Sequence, residues 1–490
     1  MVSLSPPLDI DAAVTRDRRW GPLVPPALAG LLAYAVMVLT PQVLNDGDTF
    51  WHLAAGQWML DHGQVLRTDV FSHTAAGRSW NTHEWLAEVL MALAFRAGGW
   101  SGVVILYGLA AAAAMAALAQ RLARSLPPLS LSCALSLTLG CMAPSLLARP
   151  HLIGLALLVF WVIGLLRARD ALRPPPLPLA ALMTPWANLH GGYVFGLVMI
   201  APFALEALAA AQPDQRTKVF RDWLVFGLAS LAAALVTPFG VSGLIYPFKI
   251  LGMSSLQGIT EWRAADFSRP GPLEIALVAG LFVMLQRGVR VPPFRLALLL
   301  LLLHMTLQHA RHQIVLAAVG ALLLAEPLGE ALAGSPVRRD RRDPPAARLW
   351  VFGCALAALI LSGARLALPI VRRDGPTAPV AALQHVPAPL AAQPVFNDYG
   401  FGGYLIWKGV RPFIDGRSDM YGDAFTQAYF KAEQPDPAAL DALLGRWKIT
   451  WTLLAASDPV VAVMDRRPGW RRLYADRYAV VHVRDGALPR

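Results

Sequence analysis

The chain has 490 residues, of which 56% are hydrophobic and only 15% are charged. A soluble globular domain carries about 25% charged residues, whereas apolar runs of nearly the length needed to cross about 30 Å of hydrocarbon recur along this sequence. The three cysteines, Cys133, Cys141 and Cys354, all lie inside apolar runs, which excludes a disulfide framework and a zinc ribbon. The sequence therefore predicts a polytopic membrane protein.

Eleven apolar segments are predicted to span the membrane. The first follows Arg16, Arg18 and Arg19 and lacks a small-residue cleavage site, so we interpret it as an uncleaved signal anchor. In chain order the predicted spans are 23–40, 100–120, 129–147, 150–166, 177–188, 193–211, 222–237, 272–286, 294–308, 313–330 and 349–367.

The distribution of Lys and Arg predicts the orientation of these spans. If residues 1–22 are cytoplasmic, the cytoplasmic connections contain 19 Lys and Arg and the outer connections contain 8. This excess on one side predicts a cytoplasmic N-terminus in the cell inner membrane. The net charge of +11 is then mostly topogenic, and nothing else in the composition indicates nucleic-acid binding.

The predicted fold class is an α-helical polytopic membrane protein with a small C-terminal α/β domain outside the cytoplasm. We expect a membrane domain at 23–367, a Pro- and Ala-rich linker at 368–394 and the outer domain at 395–490. The strands predicted for that domain are 395–396, 403–407, 412–414, 449–454 and 480–483. The predicted helices are 423–433, 437–446 and 458–466.

The first outer loop, residues 41–100, contains the densest polar sequence. Its Asp46-Gly47-Asp48-Thr49-Phe50-Trp51-His52 run predicts a helix that Asp48 or Thr49 caps. Asp48 and His52 are four residues apart and therefore share one helical face. The aspartates have two interpretations, as caps of a helix or as chemical groups at the membrane surface.

A second helix is predicted later in the same loop, after a hairpin around residues 75–77. Asn81 and Glu84 have the spacing of a capping box, and the helix is expected to reach about Arg96. His83-Glu84 lacks the zincin pattern because Ala87 stands where a second histidine is required.

The assumed orientation also collects titratable groups on the outer side, and none of the cytoplasmic loops contains a histidine. The outer histidines are His52, His62, His73, His83, His151, His190, His309 and His312. Three corners at span ends, near Arg149, His190 and Arg311, repeat this pattern. Each corner alone is explained by side chains reaching the interface, but together they favour a shared site. A planar guanidinium near such groups suits a phosphate.

These features together resemble the GT-C class of membrane glycosyltransferases, which includes protein O-mannosyltransferases, aminoarabinose transferases and oligosaccharyltransferases. The 46–52 run is similar to the Asp-containing first-loop motif of that class. Asp398-Tyr399-Gly400 is similar to the Asp-Tyr-Gly of the oligosaccharyltransferase acceptor motif, but Phe396 and Asn397 replace its two preceding tryptophans.

The resemblance implies inverting transfer of a hexose or pentose from a polyprenyl-phosphate donor to a glycan, lipid or protein acceptor at the outer face. It makes Asp48 the first candidate and Asp46 the second candidate for the general base. The candidates for the donor phosphate are Arg311, Arg149 and Arg263. The candidates that orient the acceptor are His52, His83, Glu84, His190 and His309. A divalent metal, with Asp48 and His52 as possible ligands, stays open.

Other interpretations remain. A transporter or flippase of a lipid-linked or small polar substrate would place charged residues deep in the spans and would show repeated halves. Glu206 and His304 are mid-span candidates, but no convincing repeat is found. A non-catalytic assembly partner is a third class. In the tail, the 415–419 turn is either a tight turn with a salt-bridged Arg417 or a ligand site.

Overall fold

The computed structural model describes residues 23–333 and 346–488, so the predicted cytoplasmic N-terminus at 1–22 lies outside the described residues. The first fourteen helices make up the membrane region and its loops. They are α1 (Val24–Leu39), α2 (Asp48–His62), α3 (Trp85–Leu122), α4 (Pro128–Met142), α5 (Pro150–Asp170), α6 (Leu177–Ala180), α7 (Met183–Leu189), α8 (Tyr193–Ala210), α9 (Arg216–Ala234), α10 (Gly240–Leu251), α11 (Pro272–Arg287), α12 (Pro293–Gln308), α13 (Gln313–Ala333) and α14 (Ala347–Ala367).

Six helical segments in the described ranges are long and apolar enough to cross a membrane, and the protein is therefore a multi-pass membrane protein. They are Trp85–Leu122, Pro128–Ser145, Pro150–Asp170, Tyr193–Ala210, Ala310–Leu332 and Ala347–Ala367. Three shorter apolar helices, α1, α10 and α12, accompany them. Several helices begin with proline in the first turn, where its fixed φ fits and no N–H is needed: α4, α5, α11 and α12.

The segment predicted as a span at 177–188 is not one helix. It forms α6 and α7, which are separated by a turn at residues 181–182. Pro185 in α7 has no N–H to donate to the preceding turn. At about 1.5 Å per residue the whole segment reaches only about 20 Å, which is less than the hydrocarbon thickness.

The break predicted between the second loop helix and the next span is confirmed, although both lie within α3. Gly98 and Gly99 have non-helical backbone angles, and Gly99 has a φ of 58°, which glycine adopts without strain. The kink separates a loop part that follows Trp85 from an apolar part that runs to Leu122. Glu84 and its neighbours are thereby kept at one end of the bundle.

The C-terminal region folds into short helices and a four-stranded sheet. Its elements are α15 (Val380–Gln384), α16 (Ala388–Ala391), β1 (Val395–Asn397), α17 (Gly402–Trp407), α18 (Ser418–Tyr421), α19 (Asp423–Glu433), α20 (Pro437–Arg446), β2 (Trp451–Ala455), α21 (Val460–Asp465), β3 (Trp470–Ala475) and β4 (Ala479–Arg484). The strand order is β1-β2-β4-β3. β1 pairs parallel to β2, and the other two pairs are antiparallel.

The three helices predicted for this region are confirmed, but two of the predicted strands are wrong and one strand was missed. Residues 403–407 form α17, and 412–414 form no strand. A short, fully buried apolar run does not distinguish a strand from a helix. β3 escaped prediction because Arg471 and Arg472 give it a polar, exposed edge.

The C-terminal region packs directly on α2 of the first outer loop. Phe50 meets the rings of Tyr404 and Trp407 edge-on or tilted, with centroids 5.3 and 5.7 Å away. Glycines face each other at the contact, and a Cβ on Gly47 would overlap the backbone of Gly400. This close approach brings the 415–419 turn beside Asp48.

Candidate active site

Arg149 is the centre of a charged network that three carboxylates form. Its Nη2 lies 2.8 Å from Asp48 Oδ2, and its Nη1 lies 3.3 Å from Asp46 Oδ2 and 3.0 Å from Glu261 Oε2. Glu261 also contacts Arg311, whose Nη1 is 3.2 Å from Oε1. The structure therefore brings Asp46, Asp48, Arg149 and Arg311 together, and it adds Glu261.

The local sequence explains why the two aspartates point to one place. Asp46 Oδ1 accepts a hydrogen bond from the Asp48 N–H at 2.7 Å, which serves the free donor at the start of α2. The prediction that Asp48 or Thr49 caps the helix is therefore wrong: Gly47 stands at the N-cap position, and the Asp46 side chain binds the first N–H from one residue earlier. Asp48 is left to accept from Trp51 Nε1 at 2.9 Å and to meet Arg149.

Two hydrogen bonds hold the Arg149 corner against the first outer loop. The Ala148 N–H donates to Val43 O at 2.8 Å, and the Thr49 hydroxyl donates to Ala148 O at 3.3 Å. Arg149 then precedes Pro150, the first residue of α5. These backbone contacts therefore fix the position of Arg149 relative to Asp46 and Asp48.

Burial and neighbouring charges shift the pKa values of Asp48 and Glu261, two of the acids beside Arg149, in opposite directions. Burial raises the pKa of Asp48 to about 7 against the lowering effect of Arg149, and the negative charge of Asp46 adds to the rise. For Glu261, Arg149 and Arg311 overcome burial and lower the pKa to about 2. Glu261 is therefore a permanent anion, whereas Asp48 exchanges a proton near neutral pH.

Two loop segments from different parts of the chain bring Glu261 and Arg311 together. Glu261 lies in a short 3-10 helix, Thr260–Trp262, and the guanidinium of Arg311 lies over the Trp262 ring, 4.1 Å from its centroid. His309 Nδ1 lies 2.6 Å from Trp262 O, so His309 supports this segment. Arg263 points elsewhere and donates to Gln257 O and Gly258 O at 3.3 Å each.

A second polar cluster lies on the other side of Trp51, around Glu84. The carboxylate of Glu84 is 3.5 Å from His190 Nε2, 3.7 Å from His52 Nε2 and 3.8 Å from His83 Nε2. Burial lowers the pKa of His52 and His190 well below the usual value, so both imidazoles are neutral. Burial also raises the pKa of Glu84. The predicted capping box of Asn81 and Glu84 does not form, because α3 begins at Trp85, with Glu84 at the N-cap position and no side-chain cap.

This Glu84 cluster borders a small cavity of about 20 Å³, the size of one water molecule. The cavity is lined by Trp51, Trp80, Thr82, His83, Glu84, Glu88 and Asp419. His52 Nδ1 lies 3.0 Å from Glu88 Oε1. Tyr246 of α10 donates to Asp419, so α10 and the 415–419 turn close the cavity.

Arg417 forms a separate, fully buried network between the first outer loop and the C-terminal region. Its guanidinium binds Asp415 at 2.7 Å through Nε and Asp69 at 2.7 Å through Nη1. Tyr421 OH donates to Asp415 at 2.7 Å. The 415–419 turn therefore contains the salt-bridged arginine that one of the two interpretations expects.

Sequence reasoning missed Glu261, Glu88 and Asp419 as members of the site. Glu261 had a usable signal, since it and Asp266 are the only acids of the 238–271 loop and Glu261 stands beside a tryptophan. Glu88 had none, because it looks like an ordinary acid of a helix face. Asp419 joins through a contact between distant parts of the chain.

Comparison with known proteins identifies the fold of the chain. No family model matches the sequence, and no curated protein matches it. Among solved structures, the chain is similar to the archaeal oligosaccharyltransferase AglB of Archaeoglobus fulgidus in complex with an inhibitory peptide and a dolichol-phosphate. That match has 10% identity and a TM-score of 0.54, and it covers 88% of this chain and 69% of that chain.

The same enzyme in the apo form gives a TM-score of 0.52 at 10% identity, again over 88% and 69% of the two chains. With a tethered acceptor peptide it gives 0.52 at 9% identity over the same shares. The protein therefore has the fold of the GT-C class, the class whose first-loop motif its 46–52 run resembles. The likeness leaves the subfamily open.

Proposed function

We propose that the protein is a glycosyltransferase that moves a sugar from a polyprenyl-phosphate donor to an acceptor at the outer face of the inner membrane. The observation that carries the proposal is the convergence of Asp48, Arg149, Glu261 and Arg311 at one end of the bundle. The GT-C fold supports it. In this proposal the N-terminus is cytoplasmic and the 395–490 region is extracytoplasmic, as the Lys and Arg distribution predicts.

Asp48 is proposed as the general base of an inverting displacement. A polyprenyl phosphate leaves as an anion of low basicity, so the reaction needs cationic stabilisation more than a general acid. A carboxylate must take the proton of the acceptor hydroxyl, and a pKa near 7 is suited to that step at neutral pH. Asp46 stays the second candidate, since it holds the start of α2 and also contacts Arg149.

Arg311 is proposed to meet the donor phosphate. Its side chain is 30% exposed, compared with 18% for Arg149, whose guanidinium is already shared by three carboxylates. The guanidinium lies over the Trp262 ring, 4.1 Å from its centroid, and this contact restrains its orientation. Arg149 would then act by fixing Asp48 and by adding positive charge near the leaving group.

The Glu84 cluster is proposed to orient the acceptor. The neutral His190 ring accepts the Gly192 N–H through Nδ1 at 3.0 Å, so its Nε2 is left as a donor, which suits a hydroxyl group. His52, which is 1% exposed and lies beside Glu84 and Glu88, supports the cluster from within. The comparison enzyme is described with an inhibitory peptide and a dolichol-phosphate. For this chain the class of acceptor, whether glycan, lipid or protein, and the sugar stay open within the proposal.

The charged groups inside the bundle do not favour transport. Glu206 binds Arg295 through two contacts of 2.9 Å and Arg169 at 3.3 Å. Glu206 lies near the end of α8, 13 residues after Tyr193 at its start, which is about 20 Å along a helix. The Glu206 cluster thus lies near one end of α8, the His190 corner lies just before its other end, and residues 194–205 between them are apolar.

The test compares acid variants in a host that makes the natural glycan. A deletion strain is complemented with wild type, Asp48→Asn, Asp46→Asn or Asp266→Asn, and mass spectrometry measures surface glycans and lipid-linked intermediates. Asp266 is the matched control, since it is exposed in the Glu261 loop and its described hydrogen-bond partner is Ser268. We expect Asp48→Asn to lose about 10²–10⁴-fold of transfer and to accumulate the donor. Normal product from Asp48→Asn and Asp46→Asn at normal protein level would refute the assignment.

A further inference from the structure

The three carboxylates around Arg149 have the composition of a divalent-cation site. They come from two separate loops, and each brings one anionic oxygen, Asp46 Oδ2, Asp48 Oδ2 or Glu261 Oε2, to the guanidinium of Arg149. Hard cations such as Mg²⁺ and Mn²⁺ prefer such oxygen ligands. The donor chemistry alone therefore favours a metal here, but the space between the oxygens is filled.

We propose that the guanidinium of Arg149 is the built-in cation of this site and that the protein transfers its sugar without a divalent metal. This inference rests on the proposed function, because it concerns how that same site works. It assigns Arg149 a positioning role that a bound metal would otherwise have.

The contact geometry carries the inference. Both terminal nitrogens of Arg149 are engaged, at 2.8 to 3.3 Å from the three oxygens. A metal requires bonds of about 2.0–2.6 Å to the same oxygens and would have to expel a group that never loses its charge. The two backbone hydrogen bonds of Ala148 hold the arginine in place.

The spacing of the ligand atoms agrees with this. Among all the described acids, histidines and cysteines, only Asp398, Glu433 and Asp458 bring three ligand atoms within 4.8 Å of one another, so the three carboxylates around Arg149 are too far apart to share one ion as they stand. Asp48 and His52, the pair that the sequence offered as metal ligands, have different partners. Asp48 binds Arg149, and His52 binds Glu88.

The positive charge near Glu261 also matches what the proposed reaction requires. Arg149 and Arg311 flank Glu261 and together carry two positive charges, as one divalent ion would. The planar guanidinium adds a fixed direction to each hydrogen bond. Arg149 thus holds Asp48 in position, and Arg311 is left to meet the phosphate.

The first experiment measures metal binding without relying on activity. Full-length protein in nanodiscs is titrated with Mn²⁺ alone and followed by electron paramagnetic resonance and by the unfolding temperature, with and without EDTA. We expect no tight Mn²⁺ site at the cluster and no EDTA effect in wild type. Arg149→Ala frees the three carboxylates and is expected to bind Mn²⁺, with a rise in unfolding temperature. Arg269→Ala, an exposed arginine of the Glu261 loop, is the matched control and should gain no site.

The outcomes separate the inference from the proposed function. A Mn²⁺ site in wild type that Asp48→Asn removes would overturn the inference, as would an Arg149→Ala protein that folds but gains none. The wild-type titration tests the inference even if Arg149→Ala does not fold. In a transfer assay, we expect EDTA to leave the wild-type rate unchanged and Arg149→Ala to lose about 100-fold. Loss of wild-type transfer in EDTA with rescue by Mn²⁺ would overturn the inference and keep the proposed function. No transfer under either condition would reject the proposed function itself.

Discussion

Two arginines of this protein, Arg149 and Arg417, each connect the first outer loop to a distant part of the chain through carboxylates. Arg417 and its partners Asp415 and Asp69 are completely buried. Arg149 is 18% exposed, and its partner Glu261 is 34% exposed. The same kind of ion pair is thus fully buried around Arg417 and partly exposed around Arg149.

The difference in exposure indicates different roles. A sealed ion pair cannot meet a substrate, and removing one partner leaves an uncompensated charge in a dry place. The partly exposed cluster around Arg149 contributes less to the free energy of unfolding, but its groups can exchange protons and bind anions. We therefore interpret Arg417 as joining the C-terminal region to the bundle and Arg149 as part of the reacting site.

The strongest test of this contrast is removal of the buried arginine. Arg417→Met leaves Asp415 and Asp69 without their cation, and we expect a loss of about 3–5 kcal/mol in the free energy of unfolding. Arg149→Met should cost less stability, because its partners reach solvent, but should lose transfer. Denaturant unfolding of the full chain measures the first effect.

A matched control for Arg417→Met is Arg472→Met on the edge strand β3. Arg472 forms a two-point contact with Asp465, but it is 47% exposed. We expect a change within about 1 kcal/mol. Equal losses in Arg417→Met and Arg472→Met would contradict the role given to the buried network.

The pH dependence of transfer should reflect Asp48. Its pKa of about 7 predicts that kcat/KM rises about tenfold per pH unit from pH 5 and levels off above pH 7, about 100-fold in all. The pKa of Glu261, about 2, places that group outside this range. A profile that is flat between pH 5 and 8 would contradict Asp48 as the base.

The same shift has a definite sign for stability. Because the folded pKa of Asp48 is raised, its contribution favours folding at low pH and is lost as the pH rises from about 4 through about 7. Asp48→Asn should remove this part of the slope. Glu433, whose pKa burial raises to about 7, contributes a similar slope, so Glu433→Gln separates the two contributions while leaving the activity profile unchanged.

Much of the fold follows from local sequence. The α3 break at Gly98 and Gly99 and the helices at 423–433 and 437–446 follow from glycine, from apolar periodicity and from caps such as Asp436, which accepts from the Ala439 N–H at 3.1 Å. Residues 403–407 were not predictable, because the run is buried on every side. Tertiary packing against α2 decides its conformation.

The site was predictable only in part, for a related reason. Asp48, Arg149 and Arg311 stand at span ends, where a polar group in an apolar sequence is conspicuous. Arg263 stands in the same loop as Glu261, but its side chain turns back to Gln257 O and Gly258 O. Spacing along the sequence does not show that Glu261 belongs to the site and Arg263 does not. That difference arises from the packing of loops from distant parts of the chain.

A glycine of the C-terminal region tests whether that region positions the open cluster. A Cβ on Gly416 would overlap Asp48 Oδ1 and lie 2.9 Å from Trp51 Nε1. Gly416→Ala should displace the carboxylate and reduce transfer about tenfold. Gly445→Ala, which meets open space in α20, should leave transfer unchanged. Unchanged transfer in Gly416→Ala would mean that the contact does not position Asp48.

The smallest effect concerns the ring beneath Arg311. Trp262→Leu keeps apolar bulk but removes the cation–π contact of 4.1 Å, which is worth about 1 kcal/mol at a partly exposed site. We expect about a fivefold rise in KM for the lipid-linked donor with kcat nearly unchanged, because the ring orients Arg311 before the chemistry begins. Trp350→Leu, at an exposed tryptophan near the start of α14, is the matched control. A fall in kcat with an unchanged KM would instead mean that Arg311 acts mainly in the transition state, as the Arg149 cluster is proposed to do.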